Sequence, residues 1–148
     1  MKLLIALVTA AASLLANVSS AADKIEIAPA AIQSFKSTFA QASEVNWSVA
    51  NNLYKADFAL NGQYASVFYD AEGGLVATTR NISSLQLPLT LQANLKKEYA
   101  DYWISDLFEL TNADGISYFV TLQSGDTKLI LKGSALSEWT VFQKTRKP

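Results

Sequence analysis

Apolar residues recur along this chain at two spacings, and the change from one to the other separates helices from strands. From Pro29, the residues Ala31, Phe35 and Phe39 fall four apart, which stacks them on one face of a helix. A proline suits the first helical turn, where its missing N–H costs nothing. Beyond this segment the period drops to two. Val45, Trp47 and Val49 alternate with Asn46 and Ser48, as in a half-buried strand. Asn51-Asn52 marks a turn. Leu53–Leu60 is a second strand, with Tyr54, Ala56, Phe58 and Leu60 on one face and Lys55 and Asp57 on the other. Asn61-Gly62 tolerates the positive φ of a tight hairpin and leads into a third strand, Gln63–Tyr69. Asp70-Ala71-Glu72-Gly73-Gly74 forms the next turn, and Leu75–Asn81 a fourth strand.

The chain divides near Leu85–Leu87, and the plan then repeats. At a shift of 60, Ala31, Phe35, Lys36 and Phe39 fall on Leu91, Leu95, Lys96 and Tyr99, so a second amphipathic helix follows Pro88. Strands are expected at Trp103–Leu110, Ile116–Gln123, Thr127–Leu131 and Glu138–Lys144, separated by Asn112-Ala113-Asp114-Gly115, Ser124-Gly125-Asp126 and Gly133-Ser134. Tyr54 and Tyr118, and likewise Leu75 and Trp139, match at a shift of 64. The expected fold class is α+β: tandem units, about 28–82 and 87–145, each a helix followed by a four-stranded antiparallel meander. Each unit alone is marginal in size. Joining the two places the helices on one face of a broad open antiparallel sheet, where they cover its apolar side.

The N-terminus changes the setting. Lys2, the uncharged apolar run Leu3–Ala16 and the small residues Ser19-Ser20-Ala21-Ala22 have the order of a secretory signal peptide over residues 1–22. The run is shorter than the roughly 20 residues of a membrane span, so cleavage rather than anchoring is expected. A mature chain from residue 23 is then periplasmic or secreted and carries no membrane span. Loss of Lys2, the one charge in that segment, takes the formal charge from −1 to −2. Such a balance gives no general attraction to nucleic acid. The chain contains no cysteine and no histidine. Disulfides are absent although the compartment would permit them. Thiol nucleophiles, Cys/His zinc sites and Ser-His-Asp triads are excluded.

The succession of helix, Val45-x-Trp47, Tyr54-x-Ala56-x-Phe58, Asn61-Gly62, Val67-Phe68-Tyr69-Asp70 and Gly73-Gly74-Leu75 resembles the PepSY-like, β-lactamase-inhibitor-protein-like (BLIP-like) domains of exported bacterial proteins. The likeness spans Ala28 to Lys144 and rests on hydrophobic patterns and turn glycines. It departs most at Leu131-Lys132-Gly133, where no acidic turn follows. The resemblance implies a non-catalytic exported protein that uses an open sheet to grip another exported or envelope protein. No inhibitory contact residue carries over.

Three candidate chemistries follow. The acids Asp57, Asp70, Glu72, Asp101, Asp106, Glu109, Asp114 and Asp126 could form a hydrolytic pair, but most occupy turns, where Asp serves backbone geometry. The Asp70–Gly74 segment has too few oxygens for calcium. No catalytic residue, cofactor or metal site is therefore assigned. The third candidate is the sheet face opposite the helices, assigned to protein binding through Lys55, Asp57, Tyr64, Phe68, Arg80, Phe119, Leu129 and Phe142. It mixes aromatic, aliphatic and charged groups as recognition surfaces do. The register of the third strand leaves Val67 and Tyr69 interchangeable with Phe68, and dimerisation through this face would also explain it. Trp47, Trp103 and Trp139 are expected as core anchors. The alternative to a binding module is a small-ligand carrier or cryptic hydrolase with a cavity between helices and sheet.

Overall fold

The computed structural model describes residues 26–148; the expected signal peptide, residues 1–22, lies outside them. The order is α1 (Pro29–Thr38), β1 (Ser43–Ala50), β2 (Leu53–Leu60), β3 (Gln63–Tyr69), β4 (Leu75–Asn81), a 3₁₀ turn (Ser84–Gln86), α2 (Leu89–Glu98), β5 (Trp103–Asn112), β6 (Gly115–Gln123), β7 (Thr127–Ser134) and β8 (Ser137–Arg146). The strands are hydrogen-bonded in chain order, β1 to β8, in one sheet, and the register is antiparallel at β1–β2 and throughout β4 to β8. The fold is thus an eight-stranded, mostly antiparallel open sheet with two helices. The chain groups into two compact units, one made of the residues up to Gly62 together with Ser66–Val76, the other of Gln63–Ala65 and Ala77–Pro148.

In the first unit, β1 and β2 are joined by Asn51 (φ 52°) and Asn52 (φ 64°), both left-handed, as a two-residue type I′ hairpin requires. Phe35 is buried and meets Trp47 and Phe58 edge-on, with ring centroids 5.5 and 5.1 Å away. Phe39 stands 4.9 Å from Phe58. The helix is also fastened at the β3–β4 turn, where Ser34 Oγ donates to the Gly73 carbonyl at 2.9 Å. Gly73 has φ 83°, and a Cβ there would lie 2.7 Å from the Ala30 carbonyl oxygen. Only glycine admits both the backbone conformation and the helix.

In the second unit, Leu87, Leu91 and Leu95 pack on Leu107, Tyr118, Val120, Leu122, Leu129, Leu131 and Trp139. Trp139 donates its indole N–H to the Leu91 carbonyl at 2.9 Å, and Asn94 Oδ1 accepts the Trp139 backbone N–H at 3.3 Å. Gly133 makes room: a Cβ there would meet Leu91 Cδ2 at 2.8 Å and Trp139 Cε3 at 3.0 Å. The sequence expectation placed Gly133-Ser134 in a turn. They instead end β7, and the turn moves to the fully exposed Leu136. The three tryptophans differ from their expected common role. Trp139 is a core anchor, Trp47 is half-buried, and Trp103 is exposed, with Lys147 Nζ 4.8 Å from its ring centre.

Candidate functional site

Strand pairing decides which side chains share a side of each sheet segment, because paired residues project together and neighbours along a strand alternate. In the first unit Trp47 faces α1 and pairs with Ala56. Lys55 and Asp57 therefore point away from α1, as expected from the sequence. Ser66 Oγ donates to Asp57 Oδ1, so Ser66 and Phe68 share that side, and the open register of the third strand is resolved. Lys55 Nζ lies 3.3 Å from Asp57 Oδ1 and 5.7 Å from the Phe68 ring centre. In this patch Phe68 is fully buried and Lys55 is 7% exposed; Tyr64, on the same strand but within the other unit, is 61% exposed. Phe68 and Lys55 are thus structural parts of the patch rather than the exposed contacts expected of them.

In the second unit the face turned away from α2 carries an aromatic cluster. Phe119 stacks on Phe108 at 5.3 Å with an interplanar angle of 16°, and Phe142 meets Phe119 edge-on at 5.5 Å. Lys132 Nζ stands 5.9 Å from the centre of the Phe119 ring. Phe119 is buried at the centre of the group, and Phe108 and Phe142 are half-buried around it. Phe119 therefore anchors the cluster without being an exposed contact, which corrects its expected role; Phe142 keeps its expected place.

Two assigned residues are not on these faces. Leu129 pairs with Leu122 and belongs to the core under α2; Leu131 likewise turns inward. The error was one of parity, since Lys128, Ile130 and Lys132 form the outer row of β7 and the leucines the inner row. Arg80 pairs with Glu109, which pairs with Tyr118, and Tyr118 packs under α2. Arg80 is consequently on the α2 side. Its Nε and Nη2 donate to the two Glu109 carboxylate oxygens at 2.9 and 3.2 Å. Burial pushes the Tyr118 phenol above its ordinary range, and the adjacent Glu109 carboxylate adds to this by charge and hydrogen bonding.

Sequence reasoning missed Phe108 and Lys132, which complete the aromatic group. It also missed the irregular pairing at Phe142: Ile130 pairs with Gln143 and Leu131 with Val141, leaving Phe142 as the extra residue of a β-bulge. The acidic turn behaves as a turn, with Asp70 Oδ1 accepting the Glu72 and Gly74 backbone N–H groups at 3.0 and 2.7 Å. Among the described residues no cluster of three or more acids could hold a metal.

Each unit also has a groove beside its helix. One of about 440 Å³ lies in the first unit among Ile32, Phe35, Lys36, Phe39, Val45 and Trp47. Another, of about 240 Å³, lies in the second among Leu85, Leu95, Lys96, Tyr99, Tyr102 and Ile104. Neither is lined by a carboxylate.

Solved structures share this arrangement. A BLIP-like protein from Bacteroides fragilis superposes with a TM-score of 0.67 at 20% identity, covering 83% of this chain and 88% of that one. The fold is BLIP-like. A DUF2874 family protein from Bacteroides ovatus matches with a TM-score of 0.70 at 19% identity, covering 83% and 89% of the two chains. A protein from Bacteroides eggerthii, provisionally assigned to the periplasm, matches with a TM-score of 0.72 at 16% identity, covering 82% and 90%. No family model matches the sequence, and no curated protein does. Among the described residues no helix is long and apolar enough to cross a membrane.

Proposed function

We propose that this chain is an exported, non-catalytic binding module of the PepSY-like, BLIP-like kind, which holds another exported or envelope protein against the sheet faces turned away from its helices. The observation that carries this reading is the Phe108–Phe119–Phe142 group with Lys132 beside it. A central buried aromatic flanked by half-buried ones and a cation is the composition of a binding hot spot. A catalytic alternative requires a cavity with paired carboxylates, and both helix-side grooves lack them.

The two-repeat organisation belongs to the same proposal. Both bounds of α1 and α2 differ by 60 residues, and so do the pairs that close them, Phe39 N–H to Phe35 carbonyl and Tyr99 N–H to Leu95 carbonyl. Duplication of a helix-plus-meander unit accounts for this more simply than coincidence. The mature chain begins near residue 23, in the periplasm or outside the cell.

A thermal-shift and binding screen against exported hydrolases tests the function. Phe142→Glu and Tyr64→Glu alter exposed or half-buried side chains and should leave circular dichroism unchanged while abolishing binding. A partner that binds both variants as tightly as the parent chain would defeat the proposal.

A further inference from the structure

The two end strands of the sheet differ. β8 is irregular at two points of its pairing with β7, and it carries Lys144 and Arg146. Bulges and cations along an edge discourage a further strand from adding. β1 has a bulge only at its start, between Ser43 and Asn46, where Glu44 has φ 55°. From Asn46 to Ala50 it pairs regularly with β2 and contains no Lys, Arg or Pro.

The hairpin geometry shows which backbone groups of β1 are unused by β2. Ala50 and Leu53 close a two-residue hairpin and form a hydrogen-bonded pair, and bonded and non-bonded pairs then alternate. The Val49–Tyr54 and Trp47–Ala56 pairs are the non-bonded ones. The N–H and C=O groups of Val49 and Trp47 therefore point off the sheet. Their side chains lie on the α1 side, where Val49 is 45% exposed. The apolar groove of the first unit opens there, and its one charged lining residue is Lys36. The groove of the second unit adjoins β5, an interior strand of the sheet and not an edge strand.

We propose that the Asn46–Ala50 edge of β1 accepts an extended segment of a protein partner as an added strand, with an apolar side chain in the groove and an acidic side chain against Lys36. Main-chain hydrogen bonds to Trp47 and Val49 give the affinity, and the groove and Lys36 select alternate side chains. This site is separate from the aromatic sheet face and does not depend on it.

The probe is a fluorescein-labelled heptapeptide of alternating threonine and valine containing one glutamate, followed by fluorescence anisotropy. Saturable binding is expected. N-methylation of the peptide amides that face β1 should abolish it. Lys36→Glu should weaken binding about tenfold, and a peptide with lysine in place of the glutamate should recover it on that variant. Val49→Pro, tolerated on an edge strand and checked by circular dichroism, should remove binding. Phe142→Glu should leave peptide binding intact, which separates this site from the sheet-face reading. The proposal is overturned by absence of saturable binding, or by binding indifferent to N-methylation. It is equally overturned if sedimentation shows dimers that Val49→Pro dissociates, since the edge would then be taken by a second copy.

Discussion

The indole N–H of Trp139 donates to the main-chain carbonyl of Leu91 at 2.9 Å, tying the last strand to the first turn of α2. Both partners are buried, so Trp139→Phe removes this bond and leaves the Leu91 carbonyl only its helical donor, which should cost about 0.5–1.5 kcal/mol. Gly133→Ala places a methyl against the side chains of Leu91 and Trp139 and should cost about 1–3 kcal/mol by overpacking. Urea denaturation of the single and double variants checks this. Because the sites share partners, the double variant should depart from additivity.

Asp106 and Asp126 should give opposite pH profiles. Burial pushes the Asp106 carboxyl up, against the pull of the Leu107 backbone N–H and of Lys128. An acid with a raised folded-state pKa contributes stability that is full below its unfolded pKa and lost as pH rises through the folded one. Asp106→Asn should therefore raise the Tm at neutral pH, with a gain that vanishes in acid. Ser124 and Thr127 hydroxyls donate to Asp126 and hold it below its ordinary value. Its contribution is present above the unfolded pKa and lost as pH falls through the folded one. Asp126→Asn should lower the Tm at neutral pH and change nothing in strong acid. Thermal melts across acid and neutral pH decide both.

The Tyr118 phenol reports on its two charged neighbours. Glu109 raises its pKa and Arg80 lowers it. Glu109→Gln should bring the phenol's titration down, and Arg80→Ala should move it further up, as followed by ultraviolet absorbance of the phenolate. The pair is exposed at Arg80, whose side chain is 45% accessible, so the cost of Arg80→Ala in stability should not exceed about 1 kcal/mol.

Much of this fold was legible in the residues. Pro29 opens α1 as expected, Asn51-Asn52 and Asn61-Gly62 take the left-handed conformations their identities favour, and the four-residue spacing of Ala31, Phe35 and Phe39 gave the buried face of α1. Face assignment was less legible, for a physical reason. A single extra residue reverses a strand's two sides, and the irregularities at Ile104–Asp106 and near Phe142 leave no mark on composition. In β7 the information was present, because Lys128, Ile130 and Lys132 alternate with Leu129, Leu131 and Gly133. Depth of burial was not readable: nothing local to Phe68 or Phe119 distinguishes a covered aromatic from an exposed one. The Arg80–Glu109 pair lies 29 positions apart and emerges only from the β4–β5 register.

The central claim is that the aromatic face holds another protein. Site-specific photo-crosslinking from position 142 in exporting cells tests it most directly, with position 136, on the exposed β7–β8 turn, as the reference. A discrete adduct from position 142, absent from position 136 and suppressed by Lys132→Glu, is the predicted result. No adduct from position 142, or the same adduct from both positions, would contradict the account.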